Sequence, residues 1–339
     1  MMQLAVVIVS YNVRELLRAC LASLQASLAR TPELAATIWV VDNASADGSA
    51  ELIAADFPAV QLVASPANLG YTAANNLALQ LLGFAPRHAE AQPLTAYPWL
   101  MAGPSAAAPD YVWLLNPDTV VHDDAPARLV QVLQGAPRAA ACGAQLAYAD
   151  GSFQHGAFRF PGLAQLALDF FPPPGRLNQP LLDSRLNGRY PRAWYARQTP
   201  FAVDFVLGAT LLLRGEALRT VGLLDEGYFM YCEEMDWQRR AWQAGWSVCC
   251  VPQARVTHIA GASSSQFRSR AFAALWQSRL RYLGRYHGPL FNTAARRLLR
   301  AGLSAEARRA QAAHPADLNE RLAAYHTVET LARTRMETP

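Results

Sequence analysis

Apolar runs and helical periods alternate along the first third of the chain. Continuous apolar runs end near residues 10, 45, 70 and 118, and they lie at 4–10, 37–45, 60–70 and 110–118. Each run has the length of a strand and is apolar on both faces, as in a parallel sheet covered by helices on both sides. Apolar residues at helical spacing predict helices over 13–29 and 72–82. This alternation predicts an α/β fold with a doubly wound, mostly parallel sheet.

Polar residues follow the predicted strands, and in such sheets ligands bind at the carboxyl ends of the strands. The first strand ends in Ser10-Tyr11-Asn12, and Asn68 closes the third run. Asp118 ends the fourth run, in LLNPDT, where a single Asp is most often a turn former or a helix cap. Asp42 ends another strand of the same sheet, so the two carboxylates are expected to converge on one cleft. Carboxylates at such a place suit Mg²⁺ bound together with substrate phosphates.

The rest of the chain changes character twice. Residues 83–110 are rich in Ala and Pro without a period, and we expect a long loop or insertion there. From about residue 140 the pattern indicates strands joined by an Asp-Gly turn, a Pro-rich loop over 170–200, and a helix over 233–245. After about residue 268 the chain is predicted to be wholly helical and Arg-rich.

Composition removes several classes of function. All 30 basic residues are Arg, so a Schiff-base lysine or a P-loop lysine is excluded, and the net charge of +4 is too small to imply a nucleic-acid partner. The five cysteines are scattered without a C-x-x-C pair, which favours reduced thiols in the cytoplasm. The N-terminus lacks the basic start of a signal peptide, and no apolar run reaches spanning length.

Three carboxylates lie within four residues at the start of the helix predicted over 233–245, namely Glu233, Glu234 and Asp236. Acidic residues in a first turn stabilise a helix against its dipole, which is sufficient reason for their presence. They also suit a general base, because the flanking aromatic residues raise a carboxyl pKa and bind sugar rings. The helix N-terminus lowers the same pKa, and the sequence leaves the balance open.

His258 ends another predicted strand and precedes a Gly- and Ser-rich stretch, which we expect to form a loop near phosphate or metal. A single histidine is more often structural than functional. Imidazole is nevertheless an acceptable ligand for Mn²⁺ or Mg²⁺. Both interpretations remain open from the residues alone.

Six motifs in order resemble glycosyltransferase family 2, with its GT-A fold, and in particular its bacterial rhamnosyltransferase-like members. They are VVIVSYN, VVDNASADGS, NLGYTAANNLAL, LLNPDT, the stretch from GATLLLRG to RRAWQAGW, and VTHIAGAS. The resemblance extends over about residues 3–285. It implies a Rossmann-like, mostly parallel sheet flanked by helices in a catalytic domain over 1–265. That domain would have a nucleotide-sugar half over 1–120 and an acceptor half over 121–265, followed by a helical region over 266–339.

The resemblance also implies roles for individual residues. The residues implied to bind the nucleotide-diphosphate sugar are Ser10, Tyr11, Asn12, Asp42, Asn68, Gly70, Asn75, Asn116 and Asp118. The family's D-x-D pattern falls on Asn116-Pro117-Asp118, so Asp118 would bind the divalent metal, Mg²⁺ or Mn²⁺, with His258 as its partner. Glu234 would be the general base, with Glu233 and Asp236 as the other candidates. Two departures stand out: Asn116 replaces the first Asp of D-x-D, and Glu234 replaces an Asp.

The implied function is inverting, metal-dependent transfer of a sugar, with rhamnose as the candidate, to a cell-envelope glycan or lipid-linked acceptor. The alternatives are a non-catalytic nucleotide-sugar-binding protein and a nucleotidyltransferase, for which Arg14 is the one basic residue in the first loop. The Arg-rich C-terminal helices either pack on the core with solvated Arg or meet anionic lipid. We expect a cytoplasmic protein that is peripheral on the inner membrane and binds no nucleic acid.

Overall fold

The structure is a computed structural model, and it describes residues 1–87, 90–101, 103–105, 107–175, 178–259 and 268–334. The Gly- and Ser-rich loop expected after His258 and the domain boundary expected at 265 lie outside the described residues. The chain forms two compact units. The first contains residues 1–158, 192–229 and the described residues of 233–263, and the second contains 159–191, 230–232 and the C-terminal helices.

The described residues form strands and helices throughout the chain. The strands are β1 (Met2–Ser10), β2 (Leu34–Asp42), β3 (Gln61–Ala64), β4 (Tyr111–Leu115), β5 (Thr119–Val121), β6 (Ala139–Ala147), β7 (Phe153–Gln154), β8 (Ala157–Phe158), β9 (Phe201–Val203), β10 (Phe205–Val206), β11 (Thr210–Arg214) and β12 (Ser247–His258). The helices are α1 (Arg14–Leu28), α2 (Ser49–Asp56), α3 (Gly70–Leu81), α4 (Ala125–Gly135), α5 (Leu163–Phe170), α6 (Asn178–Leu182), α7 (Arg192–Ala196), α8 (Gly215–Val221), α9 (Glu233–Gln243), α10 (Arg268–Tyr286), α11 (Pro289–Ala313) and α12 (Leu318–Arg333).

The main sheet of the first unit has the strand order β3-β2-β1-β4-β11-β6-β12-β5. The first four strands of this order are parallel, as the alternating pattern predicts, and β11 runs antiparallel to both of its neighbours. The α/β class and the helix-covered parallel strands are therefore confirmed. The central strands are buried on both faces, because Val6 and Trp113 on one face and Val7 and Val112 on the other are all inaccessible to solvent.

Two predicted strands are wrong in their extent. The fourth run ends as a strand at Leu115, and the chain turns through Asn116–Asp118 before β5 begins. Proline has no backbone N–H to donate to a ladder, so Pro117 breaks the strand there. The third run contributes only β3, which ends before Ser65-Pro66 for the same reason. Asp118 therefore lies in a turn between two strands.

The Asp-Gly turn is confirmed, because β7 returns antiparallel to β6 on either side of it. The described residues of the 83–110 segment are irregular apart from a short 3-10 helix at Leu94–Ala96. The Pro-rich stretch is more ordered than predicted: it contains α6, a 3-10 turn and α7. Prolines tolerated in first helical turns do not prevent such short helices.

The second unit is helical, as predicted for the residues after 268. α5 packs against α11, where a Cβ on Gly302 would overlap the Phe170 ring, so only glycine permits this approach. Phe170 also stacks on Trp276 with ring centroids 5.2 Å apart. Among the helices of the described residues, none combines the length and the apolar character that crossing a membrane requires.

Candidate active site

Ser10 and Asp42 lie side by side where β1 and β2 end, since the parallel register pairs them directly. Both side chains are buried. Asp42 Oδ2 accepts the Ser45 N–H at 3.0 Å, whereas Asp42 Oδ1 and Ser10 Oγ have no hydrogen-bond partner among the described residues. A buried polar atom without a partner is costly, so this pair is prepared for groups that a ligand supplies.

The turn after β1 is fixed to the loop after β2. Asn12 adopts a left-handed backbone conformation with φ of 52°. Its N–H donates to Ser45 Oγ at 3.0 Å, and its Oδ1 accepts the Ala46 N–H at 2.7 Å. The turn that also holds the half-buried Tyr11 is thereby kept at the carboxyl ends of the strands.

Asn43 organises this part of the site, and the sequence analysis missed it. Its Nδ2 donates to Asn68 Oδ1 at 2.9 Å and to the Gly70 carbonyl at 3.2 Å, and its Oδ1 accepts the Leu69 N–H at 2.7 Å. Asn68 Oδ1 also accepts the Gly70 N–H at 2.9 Å. Asn68 therefore shapes the start of α3. The signal for Asn43 was its place directly after Asp42.

Position 70 requires glycine, both for its backbone conformation and for its close approach to Phe229. Its φ is +82°, and a Cβ there would lie 2.6 Å from both the carbonyl oxygen and the ring of Phe229. Tyr71 N–H donates to that same carbonyl at 2.9 Å. One turn further along α3, Asn75 Nδ2 donates to the Tyr71 carbonyl at 2.8 Å, while its buried Oδ1 has no partner among the described residues.

Asp118 and His258 form a second group. The antiparallel register of β5 and β12 places His258 opposite Thr119, and Asp118 Oδ1 lies 3.4 Å from His258 Nε2. Asn116 Nδ2 lies 3.4 Å from the same imidazole nitrogen. Both Asp118 and His258 are buried, at 6% exposure each. The sequence-predicted pair is thus together, with Asn116 beside it.

This pair fits a divalent cation that is shared with a substrate. Within the described ranges no group of three or more His, Cys, Asp or Glu side chains could enclose a metal ion. One carboxylate and one imidazole within 3.4 Å of each other still provide two ligands. Mg²⁺ and Mn²⁺ commonly take few protein ligands and complete their shells with phosphate oxygens and water.

Glu233 and Glu234 are the first two residues of α9, and the charge of Glu234 affects the pKa of Glu233. Glu233 is buried and Glu234 is half-buried, and neither Oε2 atom has a hydrogen-bond partner in the described part of the chain. Burial raises the pKa of Glu233 well above its ordinary value, and the negative charge of Glu234 raises it further. Burial also raises the pKa of Glu234, against backbone N–H groups that lower it, including that of Gly208. Desolvation therefore outweighs the helix N-terminus, which settles the balance that the sequence left open.

Asp236 has different surroundings. It is fully buried, and its carboxylate accepts Arg240 Nε at 2.8 Å and the Tyr228 hydroxyl at 3.3 Å. A carboxylate held in this ion pair anchors the helix and lacks the freedom of Glu233 and Glu234. The spacing of Asp236 and Arg240 by four residues is the sequence signal for this pairing.

Tyr71 joins the two groups of acids, and the sequence analysis missed it as well. Its buried hydroxyl donates to the Gly208 carbonyl at 3.3 Å. Burial raises its pKa strongly, and the negative charges of Glu233, Glu234 and Asp118 raise it further. Residues 208–209 bring these groups together, because Asn116 N–H donates to the Ala209 carbonyl at 3.1 Å and a Cβ on Gly208 would lie 3.5 Å from the Glu234 side chain.

Comparison with known proteins identifies the family of the chain. A sequence model of the family described as "Glycosyltransferase like family 2" matches residues 2–283. An N-acetylglucosaminyl-diphospho-decaprenol L-rhamnosyltransferase of Mycobacterium tuberculosis (strain CDC 1551 / Oshkosh) is 29% identical over 279 residues, 82% of this chain and 84% of that protein. Rhamnosyltransferase WbbL of Escherichia coli (strain K12) is 37% identical over 83 residues, 24% of this chain and 31% of that protein.

A solved structure has the same fold. It is the mannosyltransferase PcManGT from Pyrobaculum calidifontis in complex with GDP-Man and Mn2+, with a TM-score of 0.54 and 16% identity over 97% of this chain and 83% of that one. The fold is therefore of the GT-A type. The chain belongs to glycosyltransferase family 2, as its motifs predict, and it is an enzyme.

Glu233→Gln is expected to flatten the dependence of stability on pH. Burial holds the folded-state pKa of Glu233 above its unfolded value, so its contribution is fully present below the ordinary pKa of 4.5 and is lost as the pH rises through the folded-state pKa. Glutamine does not ionise, so the variant should gain stability relative to wild type between about pH 4 and about pH 8. Urea unfolding across that range measures this.

The exposed Glu33, changed to Gln, is the matched control and should follow wild type at every pH. A difference between Glu233→Gln and wild type that stays constant with pH would show that ionisation of Glu233 has no effect on stability.

Proposed function

We propose that this enzyme transfers a sugar, with rhamnose as the candidate, from a nucleotide-diphosphate donor to a lipid-linked glycan acceptor, with inversion at the anomeric carbon and with a divalent cation. The observation that carries the proposal is that the Asn116–Asp118 turn, Tyr71 and Glu234 meet at residues 208–209. Asn116 N–H donates to the Ala209 carbonyl at 3.1 Å, the Tyr71 hydroxyl donates to the Gly208 carbonyl at 3.3 Å, and a Cβ on Gly208 would lie 3.5 Å from the Glu234 side chain. The choice of sugar and acceptor is supported by the M. tuberculosis relative, whose name specifies L-rhamnose and N-acetylglucosaminyl-diphospho-decaprenol.

The donor would bind along the strand ends. Asp42 Oδ1 and Ser10 Oγ would bond to the nucleoside, because they are buried atoms that still need partners. The start of α3 around Asn68, Gly70 and Asn75 would line the pocket, and Asn116 would meet the ribose. Asp118 and His258 would hold Mg²⁺ or Mn²⁺, which when bound would neutralise charge developing on the diphosphate leaving group.

Glu234 would act as the general base. It would accept the proton of an acceptor hydroxyl while that oxygen attacks the anomeric carbon and the bond from that carbon to the diphosphate oxygen breaks. One displacement of this kind inverts configuration without a covalent enzyme intermediate. A raised pKa makes Glu234 a better proton acceptor, and its partial exposure favours it over the more buried Glu233. The proposed role does not extend to Asp236, which Arg240 engages.

Asp118→Asn is expected to weaken Mn²⁺ binding and to lower kcat by about 100-fold or more, because an amide of the same shape lacks the charge that binds the cation. Calorimetry with Mn²⁺ and a nucleotide-sugar donor measures the first effect, and donor turnover measures the second. Asp123→Asn is the matched control, since Asp123 is exposed in the same turn region and asparagine tolerates its φ of 49°. Full turnover by Asp118→Asn would exclude the metal role.

Glu234→Gln should keep donor binding and lower transfer by about 10²–10⁴-fold, the usual range for loss of a general base. Thermal-shift titration with nucleotide sugars and Mn²⁺ measures binding, and release of nucleoside diphosphate in the presence of acceptor measures transfer. Asp236→Asn provides the contrast, because weakening its pairing with Arg240 should lower the free energy of unfolding. Equal transfer by wild type and Glu234→Gln would contradict the assignment of the base.

We also propose that α11 contributes a peripheral contact with the cytoplasmic face of the membrane. Arg297 and Arg308 are exposed on this helix, and Leu290 at its start is 89% exposed. Other arginines of the region have structural partners instead: Arg296 donates to carbonyls at the end of α12, and Arg279 pairs with Asp169 at 2.8 Å. The support for lipid contact therefore comes from the exposed arginines alone.

Reversing two of these charges, as Arg297→Glu with Arg308→Glu, is expected to lower binding to phosphatidylglycerol vesicles by about tenfold or more, since each basic residue near an anionic surface contributes about 1 kcal/mol. Sedimentation with vesicles measures this, and phosphatidylcholine vesicles show the lipid dependence. The control changes the exposed Arg30 and Arg138 to Glu, which alters net charge equally at other positions. Equal loss in both double variants would remove α11 from the contact.

A further inference from the structure

The 83–110 segment makes reciprocal hydrogen bonds with the loop at residues 222–229, which precedes the catalytic acids. Glu90 in the segment accepts the Leu223 N–H at 3.2 Å, and the Glu90 carbonyl accepts the Glu226 N–H at 2.7 Å. In the opposite direction, Glu226 Oε2 accepts the Gln92 N–H at 3.0 Å. The Glu90 carboxylate therefore accepts a backbone N–H of the loop, and the Glu226 carboxylate accepts a backbone N–H of the segment.

The fit between Glu90 and the loop is close. Glu90 is 8% exposed, and its Oε1 also accepts the Arg87 N–H at 2.8 Å. Gly222 has φ of +93°, and a Cβ there would lie 2.5 Å from Glu90 Oε1. The carboxylate thus occupies space that any other residue at position 222 would fill. Arg87 extends the contact, because its guanidinium donates to the Arg219 and Thr220 carbonyls at 3.0 Å each.

Helix α3 holds the loop from another side. The amide of the fully buried Asn76 donates to the Leu224 carbonyl at 2.8 Å and accepts the Leu224 N–H at 3.1 Å. The same Nδ2 donates to Glu226 Oε1 at 3.0 Å. Glu226 therefore uses both carboxylate oxygens, one toward α3 and one toward the 83–110 segment.

The loop in turn fixes α9, which carries Glu233 and Glu234. Trp237 Nε1 donates to the Gly222 carbonyl at 2.8 Å. Arg240 donates to the Val221 carbonyl at 2.9 Å and to the Leu223 carbonyl at 2.7 Å. Gly222 and Leu223, both of which Glu90 contacts, are thus also bonded to α9.

We propose that Glu90 and Glu226 are positioning residues, through which the 83–110 segment holds the 222–229 loop and the start of α9 in the geometry that transfer requires. Neither residue touches the substrates in this account; each acts through the loop. The inference rests on the proposed function for its catalytic consequence, whereas the mechanical part stands on the contacts alone.

Hydrogen–deuterium exchange on the full chain tests the mechanical part without any ligand. Glu90→Ala should raise deuterium uptake in peptides covering 222–229 and 233–238 and leave uptake in β1 unchanged. Glu90→Gln should stay close to wild type, because its amide oxygen can still accept the Leu223 and Arg87 N–H groups. Glu226→Gln should resemble Glu90→Ala, because its two oxygens both accept and an amide replaces one of them.

Turnover tests the catalytic part, with a nucleoside-diphosphate L-rhamnose donor and an N-acetylglucosaminyl-diphospho-decaprenol acceptor. Glu90→Ala should lower kcat by about 10- to 100-fold, the scale of a small displacement of catalytic groups, while KM for the donor changes little. Leu133→Ala, which removes a buried side chain of α4, controls for a general loss of stability and should keep kcat.

Unchanged exchange in the 222–229 peptides of Glu90→Ala would overturn the proposal, and so would raised exchange with unchanged kcat. If Glu90→Ala is too unstable to purify, Glu226→Gln carries the same two measurements. Absence of transfer by the wild-type enzyme would count against the proposed function, while the exchange result would still decide whether the contact holds the loop.

Discussion

The candidate active site depends on buried carboxyl groups whose oxygen atoms do not all have hydrogen-bond partners among the described residues. Glu233 and Glu234 lie together at the start of one helix, and their desolvation raises both pKa values despite the helix N-terminus. Such a pair destabilises the folded state when it ionises, so the rest of the fold must compensate. The compensation is visible in α9, where Asp236 and Arg240 form a buried ion pair and Trp237 bonds to the preceding loop.

The strands of the sheet position the remaining polar residues of the candidate site. Parallel pairing sets Ser10 beside Asp42 at the ends of β1 and β2, and a shift of one residue would turn either side chain to the opposite face. Asp118 reaches the same region from a turn that Pro117 creates. Backbone features that tolerate little movement thus position Ser10, Asp42 and Asp118, to which we assign donor and metal binding.

Much of this could be predicted from the sequence. The apolar runs predicted the parallel strands, and the ordered motifs predicted the family and the pairing of Asp118 with His258. Pattern reasoning could not place Asn43 or Tyr71, because their importance comes from contacts with residues distant in sequence. Glu90 was harder still, since it lies in an irregular Ala- and Pro-rich segment where no period relates a residue to its neighbours in space. Strand ends were misjudged where proline removed a hydrogen-bond donor.

Gly70 has a consequence for how such an enzyme can change. A Cβ at position 70 would lie 2.6 Å from both the ring and the carbonyl oxygen of Phe229, which precedes Glu233 by four residues. A mutation that enlarges position 70 would displace Phe229 directly, so under the proposed function a change in the donor site would also affect the residues before the general base. Adaptation to a new nucleotide sugar would therefore have to leave this position unaltered, or alter residues 70 and 229 together. Positions 70 and 229 are therefore expected to change together, if they change at all, as the enzyme evolves.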